Sequence, residues 1–451
     1  MAKTARRVLF VAYYFPPRGG AGVQRSLKFV KYLRELGWEP TVLTTEYPPR
    51  SQAYDKTLLD EVPQGTRIVE IKSKESVFVR MAERGLGRLT GFFLRPDAAV
   101  TWVRSAMPAA RALHRDTPFD AVYTSVQPWS AALVGLLLKR ERAVPWVSDF
   151  RDPWTDSLHL EWPTRLHWQA DRRLESMYLQ GADMTLVVTP TMRDEFLAAH
   201  PQIAPEKIRV VYNGFDEEDF SAAPADDDGV FTVVFTGRFQ HDHGTAAGTL
   251  RSRLRERLTY KPRPVVLETH SPIYFLRALA ALLEQRKELR GKVRVVFAGT
   301  IGKGNMALAE NLGLSGIVED AGYLPHTRAV ALVKSADALL LPMFSTPNPA
   351  ERVAYASGKV FEYLAAGKPI LALTQAGDAR DLAIESGLGI AVPPRDVSAI
   401  SSAIETLYKY WEHPAQAPSP RDGFIARFTR RKIAEQLAET LNETQATGGA
   451  R

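Results

Sequence analysis

The stretch RRVLFVAYYFPPRGGAGVQRSLKFVKYLRELG (residues 6–37) shows the pattern that decides the fold. An apolar run ends in a Pro/Gly loop, and a helical pattern that Gly37 ends follows the loop. The apolar positions of this predicted helix share one face: Val23, Leu27, Val30 and Leu33. A run without polar alternation indicates a strand of a parallel sheet, because helices cover both faces of such a sheet.

The same alternation of strand and helix runs through the rest of the chain. The first half adds the runs PTVLTT (40–45), RIVEI (67–71), FDAVYTS (119–125), VPWVS (144–148), MTLVVT (184–189) and KIRVVYN (207–213). The second half adds VFTVVFTG (230–237), VRVVFAG (293–299), IVEDAGY (317–323), ADALLLPM (336–343), KPILAL (368–373) and GIAV (389–392). Two doubly wound α/β domains are therefore predicted, each with a ligand crevice at the carboxyl ends of its strands.

The domain boundaries follow from composition. An acidic stretch of small residues at 216–229 has little to bury and is predicted to be a linker. It separates an N-terminal domain (1–215) from a C-terminal domain (230–415), and residues 416–451 form a predicted C-terminal helix and tail. Residues 241–270 are basic and interrupt the expected strand-to-helix connection, so they are interpreted as an insertion.

Composition excludes several classes of protein. The 451 residues include no cysteine, which excludes disulfides, thiolate metal sites and cysteine nucleophiles and favours a cytoplasmic location. No run approaches the about 18 apolar residues of a membrane span. The net charge of +7 suits anionic partners. Nucleic acid is not expected to be among them, because the aromatic residues do not interleave with a basic stripe.

Two motifs of the first half follow predicted strands. Gly19 and Gly20 lie between a strand and a helix N-terminus, where backbone N–H groups can approach a phosphate or a sugar. The alternative is a tight turn that needs glycine. Asp149, Arg151 and Asp152 follow VPWV and could orient an acceptor hydroxyl, although an Arg–Asp pair that fixes a loop fits the same spacing.

Two motifs of the second half point to a diphosphate. Gly237 and Arg238 end the first strand of that half, and a guanidinium can hold a diphosphate through two hydrogen bonds. In ASGKVFEYLAAGKPILAL (356–373), Gly358 and Lys359 open a helix and Glu362 follows one turn later. A lysine at a helix N-terminus is typical of phosphate sites, and a carboxylate can accept hydrogen bonds from both ribose hydroxyls. The alternative is an ordinary helix start with a Lys–Glu pair.

Taken together, the motifs resemble glycosyltransferase family four, the retaining nucleotide-sugar enzymes of the GT-B architecture, and especially members that build bacterial polysaccharides. The resemblance covers nearly the whole chain except the insertion and the tail. It implies two Rossmann-like domains facing across a cleft, with the C-terminal helix crossing back to the first domain. The matching segments occur in the family's order: YYFPPRGGAGVQR (13–25), KYLRELGWEPTVLT (31–44), SDFRDPW (148–154), VVYNGFD (210–216), FTGRF (235–239), the stretch from GYLPH to ADALLLP (322–342), and GKVFEYLAAGKPIL (358–371).

The resemblance also implies roles for individual residues. Arg238 and Lys359 would bind the donor diphosphate. Together with Asp149, they are the expected catalytic residues. Glu362 would bind the donor ribose. The remaining expected donor contacts are Gly19, Gly20, Gly237, Gly358 and, around the nucleobase, Tyr323 and Leu324. Asp149, Arg151 and Asp152 would face the acceptor.

The chain departs from the family pattern at two places. Ala354 stands where the family has the first of two paired glutamates. The family's lysine after the Gly-Arg strand has no direct match because the insertion occupies its place, and Arg251, Arg253 and Lys261 are the candidate replacements.

The implied reaction moves a sugar from a nucleotide-diphosphate donor to a glycan or a lipid-linked saccharide. Retention of configuration is expected, with no metal and no cofactor beyond the donor substrate. The competing interpretations are a nucleotide-sugar epimerase on the same fold, a degenerate homologue that only binds, and a basic nucleic-acid binder. Residues 77–95 mix arginine with large apolar residues, which fits either a helix lying on the inner, anionic membrane face or a surface helix packed on its own domain.

Overall fold

The structure is a computed structural model that describes residues 5–47, 54–72, 91–221, 229–244 and 259–448. The chain divides into two compact units. Unit 1 comprises Met1–Asn213, Arg255–Pro262 and Arg430–Arg451, and unit 2 comprises Gly214–Leu254 and Arg263–Thr429. Each unit is built on one parallel sheet, as the sequence predicts.

Unit 1 contains a seven-stranded parallel sheet in the order β3-β2-β1-β4-β5-β6-β7. Its strands are β1 (Arg6–Val11), β2 (Trp38–Thr45), β3 (Arg67–Ile71), β4 (Ala121–Val126), β5 (Trp146–Phe150), β6 (Met184–Val187) and β7 (Ile208–Val210). Its helices before the linker are α1 (Ala21–Glu35), α2 (Val100–Asp116), α3 (Ala131–Arg142), α4 (Arg165–Gly181) and α5 (Pro190–Ala199). The four apolar positions predicted on one face of α1 are all buried.

Unit 2 contains a six-stranded parallel sheet in the order β10-β9-β8-β11-β12-β13. Its strands are β8 (Phe231–Arg238), β9 (Val293–Thr300), β10 (Val318–Gly322), β11 (Ala338–Pro342), β12 (Ile370–Leu373) and β13 (Gly389–Val392). Its helices are α6 (Ile273–Gln285), α7 (Lys303–Asn311), α8 (His326–Ser335), α9 (Gly358–Ala366), α10 (Asp378–Glu385) and α11 (Val397–Glu412).

Strand order fixes where each unit can bind a ligand. In unit 1 the connections leave in opposite directions from β1 and β4, and in unit 2 they do so from β8 and β11. A crevice opens at the carboxyl ends of such neighbouring strands, because their crossover helices lie on opposite faces of the sheet. The Gly-rich loop after β1 and the Gly-Arg pair at the end of β8 both lie at these positions.

The C-terminal helix α12 (Arg430–Gly448) belongs to unit 1, as predicted for a helix that crosses back to the first domain. It buries Ile433, Leu437 and Leu441 in the core of that unit. Residues 416–429, which the sequence analysis grouped with this helix, lie in unit 2. In the part of the chain that the structure describes, no helix is both long and apolar enough to cross a membrane.

The predicted insertion is divided between the units. At its start, the carboxylate of Asp242 accepts a 2.8 Å hydrogen bond from the backbone N–H of Asn305 in α7. Tyr260, further along, pairs with Trp162 through two backbone hydrogen bonds of 2.8 and 2.9 Å within unit 1. The chain then returns to unit 2, where Arg263 forms an ion pair with Glu351.

Candidate active site

The carboxyl ends of β8 and β9 approach each other more closely than side chains would permit. Gly237 and Gly299 pair across the two strands, and each has a φ of +128°, a conformation that side chains disfavour. A Cβ at Gly299 would lie 2.0 Å from the carbonyl oxygen of Gly237. The two glycines are therefore needed for the backbone geometry at this strand end.

Lys359 lies across Gly237. A Cβ added to Gly237 would lie 2.1 Å from the Cε of Lys359 and 2.4 Å from its Nζ. The same Nζ lies 5.0 Å from the centre of the Phe235 ring, within the range of a cation–π contact. The space left by a missing side chain on β8 thus holds a lysine from the first turn of α9.

Helix α9 is held at this place by a second contact with β8. The hydroxyl oxygen of Tyr363 accepts a 3.1 Å hydrogen bond from the backbone N–H of Thr236. Tyr363 is fully buried, and burial raises its pKa to about 12. The N-terminus of α9 has no side-chain cap and no acidic residue in its first turn. Its N–H groups and its dipole therefore favour an anion there.

The corner formed by the carboxyl end of β8 and the N-terminus of α9 carries positively charged side chains. Burial lowers the pKa of Lys359 to about 8, and the charge of Glu362 partly opposes that shift. Arg238 is exposed at the end of β8, next to Gly237. The structure thus brings together five of the predicted donor-binding residues, which are Gly237, Arg238, Gly358, Lys359 and Glu362. Their contact with a donor remains a prediction.

The two residues predicted around the nucleobase follow β10, at the same edge of the sheet but two strands from β8. Tyr323 has 87% of its side chain exposed, and Leu324 is half-buried. An aromatic ring with so much exposed surface makes no large apolar contact in this structure, and it can be covered by a flat ligand.

In unit 1 the predicted acceptor residue Asp149 has a different environment. Its carboxylate is fully buried and accepts hydrogen bonds of 2.8 and 2.9 Å from the Nε and Nη2 of Arg25 in α1. The hydroxyl of Tyr123 donates another hydrogen bond to it. The contact with an acceptor that the sequence predicts for Asp149 stays a prediction, because in this structure both oxygens of Asp149 accept hydrogen bonds from buried partners. Asp149 positions Arg25, whose guanidinium also donates to the backbone carbonyls of Val211 and Tyr212.

Arg151 joins the loops on the two sides of the unit 1 switch point. Its Nη1 donates a 2.5 Å hydrogen bond to the carbonyl of Gly22 in α1, and its Nη2 donates a 2.9 Å hydrogen bond to the carbonyl of Gln127 after β4. A Cβ at Gly22 would lie 2.5 Å from that Nη1. Arg151 is 9% exposed and connects the two loops through their backbone carbonyls, and its contact with an acceptor stays a prediction.

Asp152 is the acidic residue of this motif that remains partly accessible. Burial raises its pKa to about 6, while the charge of Arg151 and a hydrogen bond with the side chain of Gln127 oppose the shift. Gln127 itself has a φ of +112°, which is strained for a residue other than glycine. The sequence analysis missed Gln127, because neither its residue type nor its spacing signals such a conformation.

The Gly-rich loop before α1 is open to solvent. Gly20 precedes the first residue of α1 with a φ of +107°, and a Cβ there would meet nothing within 4 Å. Its requirement for glycine is therefore conformational. Gly19 is half-buried beside it. The N-terminus of α1 also has no side-chain cap and no acidic residue in its first turn.

The places where the chain departs from the family pattern are now partly located. Lys261 belongs to unit 1, where it forms a 2.7 Å ion pair with Glu161. Arg251 and Arg253 lie outside the described residues. Ala354 is buried. Across the described ranges, His, Asp and Glu residues form no group of three or more that could hold a metal ion.

Comparisons with known proteins give the class. Residues 19–214 match the family model of a glycosyl transferase 4-like domain, and residues 266–410 match that of glycosyl transferases group 1. D-inositol 3-phosphate glycosyltransferase of Streptomyces coelicolor is 27% identical over 213 residues, which are 45% of this chain and 43% of that protein. Glycogen synthase of Mycobacterium tuberculosis is 21% identical over 404 residues, which are 89% of this chain and 86% of that protein.

A solved structure extends the similarity to the whole fold. Anabaena HepE, in complex with UDP-glucose, has a TM-score of 0.60 and 18% identity, covering 97% of this chain and 99% of that one. The two parallel α/β units and this similarity over the whole chain define the fold as GT-B. The chain belongs to the glycosyltransferases of the family-four type.

We predict that Gly237→Ala displaces the side chain of Lys359. A Cβ would overlap its Cε, and alanine is strained at this φ by about 1 kcal/mol or more. The pKa of Lys359 should then rise from about 8 towards its ordinary value of 10.5, as measured by NMR of the labelled lysine side chain. Gly358→Ala is the matched control, because a Cβ there meets nothing within 4 Å. An unchanged pKa in Gly237→Ala would contradict the described packing.

We also predict that Asp149→Asn strongly destabilises unit 1. It leaves the buried guanidinium of Arg25 without a counter-charge, which costs about 3–5 kcal/mol in comparable buried pairs. Urea unfolding followed by tryptophan fluorescence measures this effect, since every tryptophan except Trp411 lies in unit 1. The neighbouring change Asp152→Asn should alter the free energy of unfolding by less than about 1 kcal/mol. Equal effects of the two changes would disprove the assigned roles.

Proposed function

We propose that the protein transfers a sugar from a nucleotide-diphosphate donor to a hydroxyl group of a glycan or a lipid-linked saccharide. The observation that carries the proposal is the packing of Lys359 against Gly237, at the switch point of unit 2 and at the uncapped N-terminus of α9. This corner offers a buried ammonium, an exposed guanidinium and a helix N-terminus without a side-chain cap within a few residues. Such a set suits a diphosphate, which carries several negative charges in a small volume.

The donor half of the reaction follows from the charge that develops during transfer. When the bond from the sugar to the diphosphate breaks, the leaving phosphate oxygen gains negative charge. Lys359, Arg238 and the N–H groups of α9 would stabilise that charge, and they are positioned before the reaction begins. Glu362, one helical turn further on, would accept hydrogen bonds from the ribose hydroxyls. The exposed ring of Tyr323 and the backbone at Leu324 would lie against the nucleobase.

The acceptor half is assigned to unit 1. Asp152 would accept a hydrogen bond from the attacking hydroxyl, while Arg151 and Asp149 keep the surrounding loops in place. The open loop at Gly19 and Gly20 would let the reacting sugar approach the backbone closely. The proposal includes retention of configuration, with the departing phosphate taking the acceptor proton on the face from which it leaves.

We predict that affinity for UDP falls as the pH rises through about 8. The pKa of Lys359 is lowered to about 8, so the ammonium that attracts the diphosphate is present below that pH and is lost above it. Calorimetric titration between about pH 7 and about pH 9.5 should show the decline. Lys359→Arg should remove it, since arginine stays charged, whereas Lys368→Arg at the other end of α9 should preserve it. An affinity of the unmodified protein that stays constant across this range would exclude Lys359 from the phosphate site.

We predict in addition that Arg238→Ala and Glu362→Ala each weaken donor binding by about tenfold or more, the loss expected for a charged hydrogen bond. A thermal-shift screen with UDP, GDP, ADP and their sugar conjugates identifies the donor, because a bound ligand stabilises the fold by mass action. Arg290→Ala and Glu310→Ala, in other parts of unit 2, are the controls. Transfer of label from the identified donor to an added saccharide separates a transferase from an epimerase or a binding protein. If both site variants keep the affinity of the controls, the proposed donor site is wrong.

A further inference from the structure

Helix α4 in unit 1 buries acidic side chains next to the apolar Tyr178 and Leu179, which is unusual for a surface helix. Its buried face carries two carboxylates, Asp171 and Glu175. Asp171 accepts a 2.8 Å hydrogen bond from the indole N–H of Trp162 and forms an ion pair with Arg95. Glu175 accepts hydrogen bonds from the backbone N–H and the hydroxyl of Thr155, at 3.0 and 2.5 Å. The acidic side chains of this helix are thus satisfied inside the protein.

The outer face of α4 carries large apolar side chains instead. Leu166, Ala170, Arg173 and Met177 are spaced by four, three and four residues, so they share one face of the helix, and all four are exposed. Leu166 is 74% exposed and Met177 is 41% exposed. A helix of a soluble protein ordinarily turns such side chains inward.

Two phenylalanines extend this surface beside the first turn of α4. Phe93 is 80% exposed and Phe92 is 41% exposed. The ring of Phe92 lies edge-on against His167, with 4.9 Å between the ring centres. Half of the exposed large apolar side chains in the described residues therefore lie on Phe92, Phe93 and the outer face of α4. Such a concentration marks an interaction surface.

The charges that α4 presents to solvent are all positive. Arg165 and Arg173 are exposed, and Arg172 is half-buried, whereas both acidic residues of the helix are buried. The nearby exposed carboxylate of Glu161 is neutralised by its ion pair with Lys261. The exposed apolar side chains of this surface are therefore surrounded by cationic side chains.

We propose that Phe92, Phe93 and the outer face of α4 form a docking surface for an anionic lipid bilayer. Isolated large apolar side chains can enter the boundary between headgroups and acyl chains, while arginines keep their guanidinium groups at the phosphates. A second copy of the chain fits this surface poorly, since a two-fold interface would bring this cationic surface, with Arg165 and Arg173, against the same cationic surface of the partner. Residues 77–90, which precede Phe92 in the sequence and lie outside the described residues, contain three arginines and one acidic residue.

This docking surface is independent of the proposed transfer chemistry, because none of its residues belongs to the donor or the acceptor site. It adds a location to the proposed function. An enzyme held on an anionic membrane meets a lipid-linked acceptor by diffusion in two dimensions. A failure of membrane binding would leave donor binding and transfer to a soluble saccharide unaffected.

The test is flotation of the full chain with vesicles of phosphatidylcholine, with and without about one third of phosphatidylglycerol. The unmodified protein should float with the anionic vesicles and remain behind with the neutral ones. Two double variants should each reduce binding by more than about tenfold, given about fivefold for each cation near the surface. One combines Phe93→Ser with Leu166→Ser, and the other combines Arg165→Glu with Arg173→Glu. The matched controls in other regions, Ile384→Ser and Arg140→Glu, should bind as the unmodified protein does.

The proposal would be overturned if the unmodified protein fails to bind anionic vesicles, or if both double variants bind them as well as the controls do. It would also be overturned if the surface is a subunit interface. In that case the unmodified protein is a dimer in solution, both double variants are monomers, and all three bind vesicles equally. Circular dichroism and the thermal stabilisation by the donor nucleotide establish that the variants are folded. All of the substituted side chains are exposed, so folding should be retained.

Discussion

The donor site depends on one steric constraint, which is the absence of a side chain at Gly237. That absence lets Lys359 lie across the end of β8 with its ammonium over Phe235. Gly299 is needed one strand away, because its Cα must approach the carbonyl of Gly237. Tyr363 then fixes α9 to the backbone of the same strand. The proposed phosphate site, made of helix N–H groups and one lysine, rests on these contacts.

Unit 1 shows how the charged residues of one motif can have separate structural environments. In the motif Asp149-Phe150-Arg151-Asp152, the first carboxylate is buried against Arg25, the guanidinium joins two loops, and the last residue is half-buried, with the pKa of its carboxyl raised by burial. Neighbouring residues of a strand end point in different directions, so three charged residues within four positions can have three different environments. The strained backbone of Gln127 lies at the centre of this arrangement, held by Arg151 and Asp152.

The sequence predicted the two parallel sheets because continuous apolar runs and helical periodicity are local signals. Each quoted run became a strand, and Gly37 lies just beyond α1, as expected. The partner of Asp149 could not be predicted in this way, since Arg25 is 124 residues distant and has no spacing rule that connects it. The division of the insertion between the two units is equally non-local, because it depends on the pairing of Tyr260 with Trp162. The burial of the carboxylates of α4 could not be predicted either, since periodicity alone does not tell which face a helix buries.

The central claim is that a nucleoside diphosphate binds at the carboxyl end of β8 and the N-terminus of α9. Hydrogen–deuterium exchange of the full chain with and without saturating UDP tests it most directly, because it reports the location of binding without any substitution. The account predicts slower exchange in peptides that cover residues 235–240 and 357–363, while α11 in the same unit is unchanged. Protection confined to other segments, or none at saturation, would contradict it.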